Sequence, residues 1–224
     1  MIIRKYGVTL IRLKKKHIEL VRQKRNLSYI QDKMFYQKKI SWWQQRRWFK
    51  QINNKYNFYF LIQHNDKFIG LINGKDIDLE NRTCEGGIFV WEKEYWDTYV
   101  PVAASIILND FNFIMANFKI NYAKVLKFNN SAVQYNLNQG YKIIQEQSDG
   151  VIVMNLLKHD YLEKSKKSRG ALAKISKDFE PMTEKNISFK DDNDKEMKLL
   201  YTGLPQDIQE LVVKIIENDK RANF

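Results

Sequence analysis

The middle of one apolar stretch, Cys84–Trp91, combines a carboxylate with two adjacent glycines. Read as a strand, the stretch places Glu85 on the same face as Gly87 and Phe89, because side chains alternate between the two faces of a strand. Glycine inside a strand usually marks a bulge or a ligand that lies against the main chain. A carboxylate beside a bound ligand can accept a proton, so Glu85 is predicted to be a general base. The alternative is an ordinary edge or salt-bridged carboxylate.

The residues after this strand read as a loop, a long helix, a strand and a short helix. The loop Glu92–Val100 leads to Pro101, and proline is tolerated at the first position of a helix. Apolar residues then recur at helical spacing, namely Ala103, Ala104, Ile107, Leu108, Phe111 and Ile114. Ile120–Phe128 returns as a strand, Asn129–Ser131 can cap the helix that follows, and Gly140 ends that helix.

This order of elements resembles the core of the GCN5-related N-acetyltransferase superfamily, whose members bind acyl-CoA at the junction of strand, loop and helix. Asn129, Ala132, Gly140 and Tyr141 match that family's N-x-x-A segment followed by G-[FY]. The resemblance covers residues 8–157. It implies an α/β fold with a mixed, mostly antiparallel central sheet flanked by helices, and acetyl-CoA as the co-substrate.

Within the superfamily, the chain looks most like the branch that acetylates nucleotide-linked amino sugars for surface polysaccharides. The residues in the order expected of this branch are Arg25-Asn26, Ile30, Met34, Ile40, Trp48-Phe49 and Cys84-Glu85. The resemblance therefore implies a nucleotide-linked amino sugar as the small-molecule partner.

The resemblance also assigns roles to individual residues. In the family, backbone N–H groups of the central strand polarise the thioester carbonyl, which here assigns Ile88, Phe89, Val90 and Trp91. The other residues assigned to the co-substrate are Trp96, Thr98, Tyr99, Val100, Ala104, Asn129 and Asn136. The family often has its leaving-group acid, a tyrosine, at the position of Asn136. Tyr135 is adjacent and takes that role only if the helix is shifted or rotated, since one helical residue turns about 100°.

The loop that holds the pyrophosphate in the family is rich in glycine, and here it is not. Asp97 and Tyr99 stand at the glycine positions, and Pro101 removes one backbone donor. An aspartate near a pyrophosphate is electrostatically unfavourable unless it turns away. The helix N-terminus beyond the loop still favours an anion.

The net charge of +12 is concentrated at the start of the chain, where residues 1–50 contain 15 Lys/Arg and 2 Asp/Glu. Such a field attracts a nucleotide diphosphate, the phosphates of CoA, nucleic acid or an anionic membrane face. Of these partners, nucleic acid is the one we do not expect.

The helix predicted at Trp42–Ile52 alternates aromatic and cationic side chains. One interpretation makes it a wall of the acceptor site, with aromatic stacking on rings and arginines bound to phosphates. The substrate-binding residues are then Arg25, Asn26, Trp43, Arg46 and Arg47. The alternative makes Trp43, Arg47 and Lys50 a solvated face and places Trp42 and Phe49 in the core.

Patterning predicts the remaining elements of residues 1–157. The predicted strands are Val8–Leu13, Asn57–Gln63, Lys67–Gly74, Tyr141–Gln147 and Val151–Leu157. The predicted helices are His17–Asn26, Leu27–Phe35 and Trp42–Ile52, the last capped by Ser41.

Residues 158–224 differ from the rest and are predicted to be a charged, partly helical extension of the domain 1–157. A short helix is predicted over Ala171–Ile175. Beyond Pro205, apolar residues at helical spacing form a stripe of Ile208, Leu211, Val212, Ile215 and Ile216. This stripe needs a partner surface, either on the sheet domain or on a second subunit in a homo-oligomer.

Composition limits the class of protein. No apolar run approaches the roughly 18 residues that span a bilayer, and no secretory signal is recognisable. The single cysteine, Cys84, cannot form an intrachain disulfide and fits a reducing cytoplasm. The three histidines, His17, His64 and His159, are scattered and give no metal-ligand spacing, so no metal site is expected.

The resemblance implies an acetyl-CoA-dependent N-acetyltransferase acting on a nucleotide-linked amino sugar, and the basic segment of residues 1–50 favours a phosphorylated acceptor. The cytoplasm is the expected location. The first alternative is an enzyme that acetylates a protein or another small-molecule amine. The second is a non-catalytic binding protein in which the altered pyrophosphate loop no longer holds CoA.

Overall fold

A computed structural model describes residues 1–190 and 192–221. Its strands are β1 (Ile2–Lys5), β2 (Val8–Arg12), β3 (Phe58–His64), β4 (Lys67–Asp78), β5 (Thr83–Val90), β6 (Ile120–Leu126), β7 (Lys142–Glu146), β8 (Val151–Leu157) and β9 (Ile187–Ser188). Its α-helices are α1 (Ile18–Arg25), α2 (Ser28–Gln31), α3 (Trp42–Ile52), α4 (Val100–Asp110), α5 (Asn130–Asn138), α6 (Lys158–Ser176), α7 (Asp194–Tyr201) and α8 (Gln206–Arg221).

All these strands form one sheet in the order β7-β8-β6-β5-β4-β3-β2-β1-β9. Every neighbouring pair is antiparallel except β5 and β6, which the crossover helix α4 connects in parallel. The parallel pairing covers only Thr83–Glu85 against Ile120–Tyr122. Beyond these residues β5 and β6 have no pairing with each other. The mixed, mostly antiparallel sheet with flanking helices confirms the predicted fold class.

Alternation along the central strands builds two cores, one on each face of the sheet. Phe60 and Ile62 of β3 pack into the larger core around α4. Tyr59 and Leu61 point to the opposite face and pack with residues of α1 and α3. Because both faces of β3 are covered, the strand reads as a continuous apolar run rather than an alternating one.

Most predicted elements are present, and the differences lie where the apolar period is weak. The strand β1 was not predicted. The helix predicted over Leu27–Phe35 is wrong beyond one turn, Ser28–Gln31. The helix predicted over Ala171–Ile175 extends instead over Lys158–Ser176, because its buried residues are too few to show a period among its charges. The turn between β3 and β4 places Asn65 and Asp66 at φ of 46° and 59°.

The C-terminal stripe covers the chain's own core. Ile208 and Ile215 are buried in the larger core, and Leu211, Val212 and Ile216 pack against it. In addition, β9 pairs with β1 at the sheet edge. Of the two predicted partner surfaces, the stripe therefore uses the sheet domain. The homo-oligomer and the domain boundary at residue 157 stay predictions.

A buried ionic cluster joins the start of this extension to the central helix. Asp110 of α4 accepts a hydrogen bond from the hydroxyl of Tyr161 at 2.6 Å and two from the guanidinium of Arg169, Nη2 at 2.5 Å and Nε at 3.3 Å. Burial and the charge of Asp110 raise the pKa of Tyr161. Asp110 is 2% exposed, so its charge is stable there only with this partner set.

Replacing Arg169 with methionine is expected to destabilise the protein by about 3 kcal/mol, because it leaves the Asp110 carboxylate buried without its cation. Urea denaturation of Arg169→Met measures the loss. Lys166→Met, at an exposed position of the same helix, is the matched control and is expected to change little. A second change, Asp110→Asn, is expected to recover part of the loss. Equal stability of Arg169→Met and Lys166→Met would contradict the role of the cluster.

Among the described residues, no helix has both the length and the hydropathy needed to cross a bilayer.

Candidate active site

A cavity of about 1050 Å³ opens where β5 and β6 part. Its walls come from α1, α2, the segment between α2 and α3, α3, β3, β4, β5, α4, β6 and α5. The cavity joins the region of the glycine pair to the N-terminus of α4 on one side. On the other side it reaches the basic N-terminal helices.

The free edge of β5 supplies backbone groups to this cavity. The N–H of Trp91 bonds to the carbonyl of Ile69 in β4 at 2.9 Å, so the alternate residues Ile88 and Val90 direct their main-chain groups toward β6. The carbonyl of Val90 accepts a hydrogen bond from the indole N–H of Trp96 at 2.9 Å. Backbone donors on this edge therefore come from Ile88 and Val90.

This arrangement corrects two of the four residues assigned to the thioester carbonyl. The N–H groups of Phe89 and Trp91 face β4 and are not available to a ligand. The ring of Phe89 still lines the cavity, whereas Trp91 is buried in the smaller core. The direction of the N–H group alternates from one strand residue to the next, and the sequence alone did not show which residues face the opening.

The two strand glycines make room for asparagine side chains. A Cβ on Gly86 would lie 3.0 Å from both terminal atoms of Asn121, and one on Gly87 would lie 3.1 Å from Oδ1 of Asn73. The register between β4 and β5 does not shift at these glycines, so the bulge considered for them is absent. Both glycines nevertheless line the cavity.

Asn121 belongs to a buried polar chain behind the glycines. Its amide donates to Oδ1 of Asn109 at 3.0 Å, and its own Oδ1 lies 3.5 Å from the sulfur of Cys84. Burial raises the pKa of the Cys84 thiol, so it stays protonated and is not a nucleophile. Asn109 and Asn121 line the cavity and were not predicted.

Glu85 lines the cavity and is also salt-bridged. Its two oxygens lie 2.8 Å from Nζ of Lys75 and 2.9 Å from Nζ of Lys124. Burial alone would lower the pKa of Lys75, but the bonds to Glu85 and to Asp76 outweigh burial and raise it. The geometry fits the alternative of a paired carboxylate and leaves Glu85 beside the space that a ligand would fill.

Tyr135 lines the cavity. Its hydroxyl donates to the carbonyl of Pro101 at 2.9 Å and lies 2.7 Å from Oγ of Ser105. Because the carbonyl of Pro101 can only accept, Ser105 donates to Tyr135. Burial raises the pKa of Tyr135 to about 12, so it is protonated at neutral pH. Asn136 and the helix cap Asn129 also line the cavity.

The loop before α4 is held by contacts within the protein. The hydroxyl of Tyr99 lies 3.2 Å from Nε2 of His64, and burial lowers the pKa of that histidine. Oγ1 of Thr98 accepts from the N–H of Val100 at 3.3 Å. With proline at position 101, this leaves the N–H of Val102 as the remaining donor of the first turn.

Several residues assigned to the co-substrate consequently lie outside the cavity. Of the loop residues, Trp96 and Asp97 line it. The residues assigned to the co-substrate that do not line the cavity are Thr98 and Tyr99 of the loop and Val100 and Ala104 of α4. Val100 and Ala104 belong to the larger core, because the helix is buried on almost every side.

The side of the cavity next to α1 and α3 contains two buried donors without partners among the described residues. These are Nη1 of Arg25 and Nε2 of Gln45, and both side chains line the cavity. Arg25 stacks on Phe89, its guanidinium 5.7 Å from the ring centroid, and burial lowers its pKa. Gln45 is 3% exposed. It was not predicted, although a glutamine in the inward stripe of α3 was the available signal.

The other predicted acceptor residues lie elsewhere. Asn26 fastens the chain before α3, since its side chain donates to the carbonyl of Ile40 at 2.9 Å and accepts from its N–H at 2.7 Å. Trp43, Arg46 and Arg47 are exposed on the outward face of α3 and do not line the cavity. The alternative is right about the solvated face, because Trp43, Arg47 and Lys50 are exposed and Phe49 packs against the smaller core. Its placement of Trp42 in the core is wrong, because Trp42 is exposed.

The fold recurs in solved structures, several of which are acetyltransferases. A spermidine N-acetyltransferase from Vibrio cholerae, in complex with CoA and spermine, is 18% identical with a TM-score of 0.64, over 70% of this chain and 99% of that one. A chimera built on that enzyme is 20% identical with a TM-score of 0.62, over 70% and 98%. A domain from Methanocaldococcus jannaschii is 17% identical with a TM-score of 0.58, over 67% and 97%.

These likenesses show that the chain has the fold of the GCN5-related N-acetyltransferases. The sequence matches no protein-family model and no curated protein.

Replacing Gly86 with alanine is expected to destabilise the protein by about 1–3 kcal/mol, because the new methyl group displaces the buried Asn121 side chain. Thermal or urea unfolding of Gly86→Ala measures this. Gly170→Ala in α6 is the matched control, since a Cβ there meets nothing within 4 Å. Alanine is the better helix former, so the control is expected to gain stability. A gain in both variants would show that Asn121 is not held against the glycine.

Proposed function

We propose that this protein is an acetyl-CoA-dependent N-acetyltransferase whose acceptor is a nucleotide-linked amino sugar used in surface polysaccharide synthesis. The observation that carries the acceptor class is the pair of buried, unpartnered donors on Arg25 and Gln45 at the acceptor side of the cavity. An unpaired buried donor costs free energy in the free protein, so an oxyanion of the acceptor that satisfies both is a favourable partner.

The free edge of β5 fits the donor substrate at its thioester end. Ile88 and Val90 offer N–H groups where β6 has separated, and a carbonyl oxygen there would be polarised without a change in the strand. Acetyl-CoA supplies the activated acetyl group when bound. The pyrophosphate end has fewer donors, because Val102 provides the remaining N–H of the first turn and Asp97 lines the cavity.

Charge supports an anionic acceptor over a polyamine. The cavity is lined by four cationic side chains, Arg25, Lys33, Lys75 and Lys124, and by two carboxylates, Glu85 and Asp97. The excess of positive charge repels a polycation such as the spermine of the Vibrio cholerae complex. It attracts the phosphates of a nucleotide-linked sugar.

The chain's own residues supply the proton transfers of the proposed reaction. Glu85 takes the proton of the acceptor amine, directly or through water. Lys75 and Lys124 favour the neutral, nucleophilic form of that amine, because like charges disfavour its protonated form. Tyr135 is protonated at neutral pH and is the group that returns a proton to the leaving thiolate, with Ser105 donating to it in turn.

Thiol release from acetyl-CoA with a panel of amines tests the acceptor class. Nucleotide-linked amino sugars are expected to react with a kcat/KM at least about tenfold above that of spermidine or an N-terminal peptide. Gln45→Leu is expected to raise the KM of the sugar about tenfold, the value of one hydrogen bond to a charged group. The same variant is expected to unfold at a higher temperature, because it removes an unpartnered buried donor.

Arg4→Gln, at an exposed position of β1, is the control and is expected to leave both quantities unchanged. Turnover of polyamines alone would overturn the acceptor class while leaving the acetyltransferase reaction in place. Absence of acetyl-CoA binding in calorimetry would instead favour the non-catalytic alternative.

Replacing Glu85 with glutamine is expected to lower turnover roughly 10²–10⁴-fold, the usual contribution of a general base. The dissociation constant of acetyl-CoA in calorimetry is expected to stay close to that of the native protein. The residual rate is expected to rise with pH, as the substrate amine loses its own proton. Glu80→Gln, exposed in the turn before β5, is the control. An unchanged rate at every pH would remove Glu85 from the mechanism.

A further inference from the structure

One surface of the protein carries positive charge that the fold does not neutralise. Residues 33–50 contain six Lys/Arg and no Asp/Glu, and all six cationic side chains are exposed. Within the part of the chain that the structure describes, none of the six pairs with a carboxylate. We call this surface the aromatic-basic face.

The same surface exposes large aromatic side chains. Trp43 is 73% exposed and Phe35 is 56% exposed, with Tyr36 and Trp42 also exposed. The core does not require them, because α3 packs inward through its other face, which includes Gln45, Trp48 and Phe49. Exposed aromatics that the fold does not use mark a contact surface.

We propose that the aromatic-basic face binds peripherally to an anionic membrane surface. Tryptophan and tyrosine rings are favourable at the level of lipid headgroups, where one part of the ring is dry and the other wet. Lysine and arginine beside them gain free energy from anionic lipids. Helices that lie in the membrane interface carry this combination of aromatic and cationic side chains.

The geometry of the rings favours lipid over nucleic acid. Single-stranded nucleic acid is bound by aromatic platforms in a basic groove. Here the guanidinium of Arg46 lies 4.3 Å from the ring centroid of Trp42 and covers one of its faces. Trp42 and Trp43 meet edge-to-face at 86° and offer no common platform for stacked bases. They also lie on an outward helix face and do not line the cavity.

Docking would place the acceptor side of the cavity at the headgroups. Lys33, Phe35 and Tyr36 are exposed and also line the cavity, and the Tyr36 hydroxyl accepts a hydrogen bond from Gln44 at 3.0 Å. An acceptor held at the membrane surface then meets the cavity without crossing bulk water. The docking itself does not depend on the proposed reaction.

Sedimentation with lipid vesicles tests the docking. Vesicles of phosphatidylcholine with about one third phosphatidylglycerol are compared with phosphatidylcholine alone, at low and high salt. The full chain is expected to bind the anionic vesicles, with affinity that falls as salt rises. The double variant Trp43→Ser/Arg47→Gln is expected to bind at least about tenfold more weakly. Removing one cation near the membrane surface lowers the binding constant about fivefold, and removing the tryptophan lowers it further.

The matched control is Phe179→Ser/Lys174→Gln, which also removes an exposed aromatic and an exposed cation, here at the end of α6 and beyond. It is expected to bind like the native chain, and circular dichroism confirms folding of all variants. Equal vesicle binding by the two double variants would overturn the proposal. The proposal would also be overturned if the native chain did not bind anionic vesicles but bound a single-stranded oligonucleotide tightly, as measured by fluorescence anisotropy.

Discussion

The separation of β5 from β6 is the constraint on which the site depends. Each strand keeps its antiparallel neighbour over its length, β4 for one and β8 for the other, while their mutual parallel pairing ends at Glu85 and Tyr122. Backbone groups along the freed edges must find partners, because an unpaired buried N–H or carbonyl is costly. The indole of Trp96 satisfies the carbonyl of Val90, and the groups that remain line the cavity.

A paired carboxylate, Glu85, lines the cavity at this opening. Lys75 and Lys124 hold Glu85 in a fixed position at the cavity wall. The cationic side chains that line the cavity outnumber the carboxylates, which disfavours a polycation there.

The C-terminal segment supports the site from the far side of the central helix. Arg169 neutralises Asp110 at the end of α4, the helix whose first turn faces the cavity, and α8 covers the larger core. Stability and site geometry are coupled through α4, because a shift of this helix moves Pro101 and Ser105, which hold the Tyr135 hydroxyl.

The sequence by itself determined the fold class, the order of the strands from β2 to β8 and the cap at Asn129. Apolar period and turn residues are local, so they can be read without a structure. Tertiary structure alone decided which N–H groups of β5 face the opening, because a shift of one residue reverses their direction. It also placed Arg25 and Gln45 in the wall of one cavity and put Trp43, Arg46 and Arg47 outside that cavity. These outcomes depend on how α3 rotates against β3 and β5, a relation between distant segments that no local pattern records.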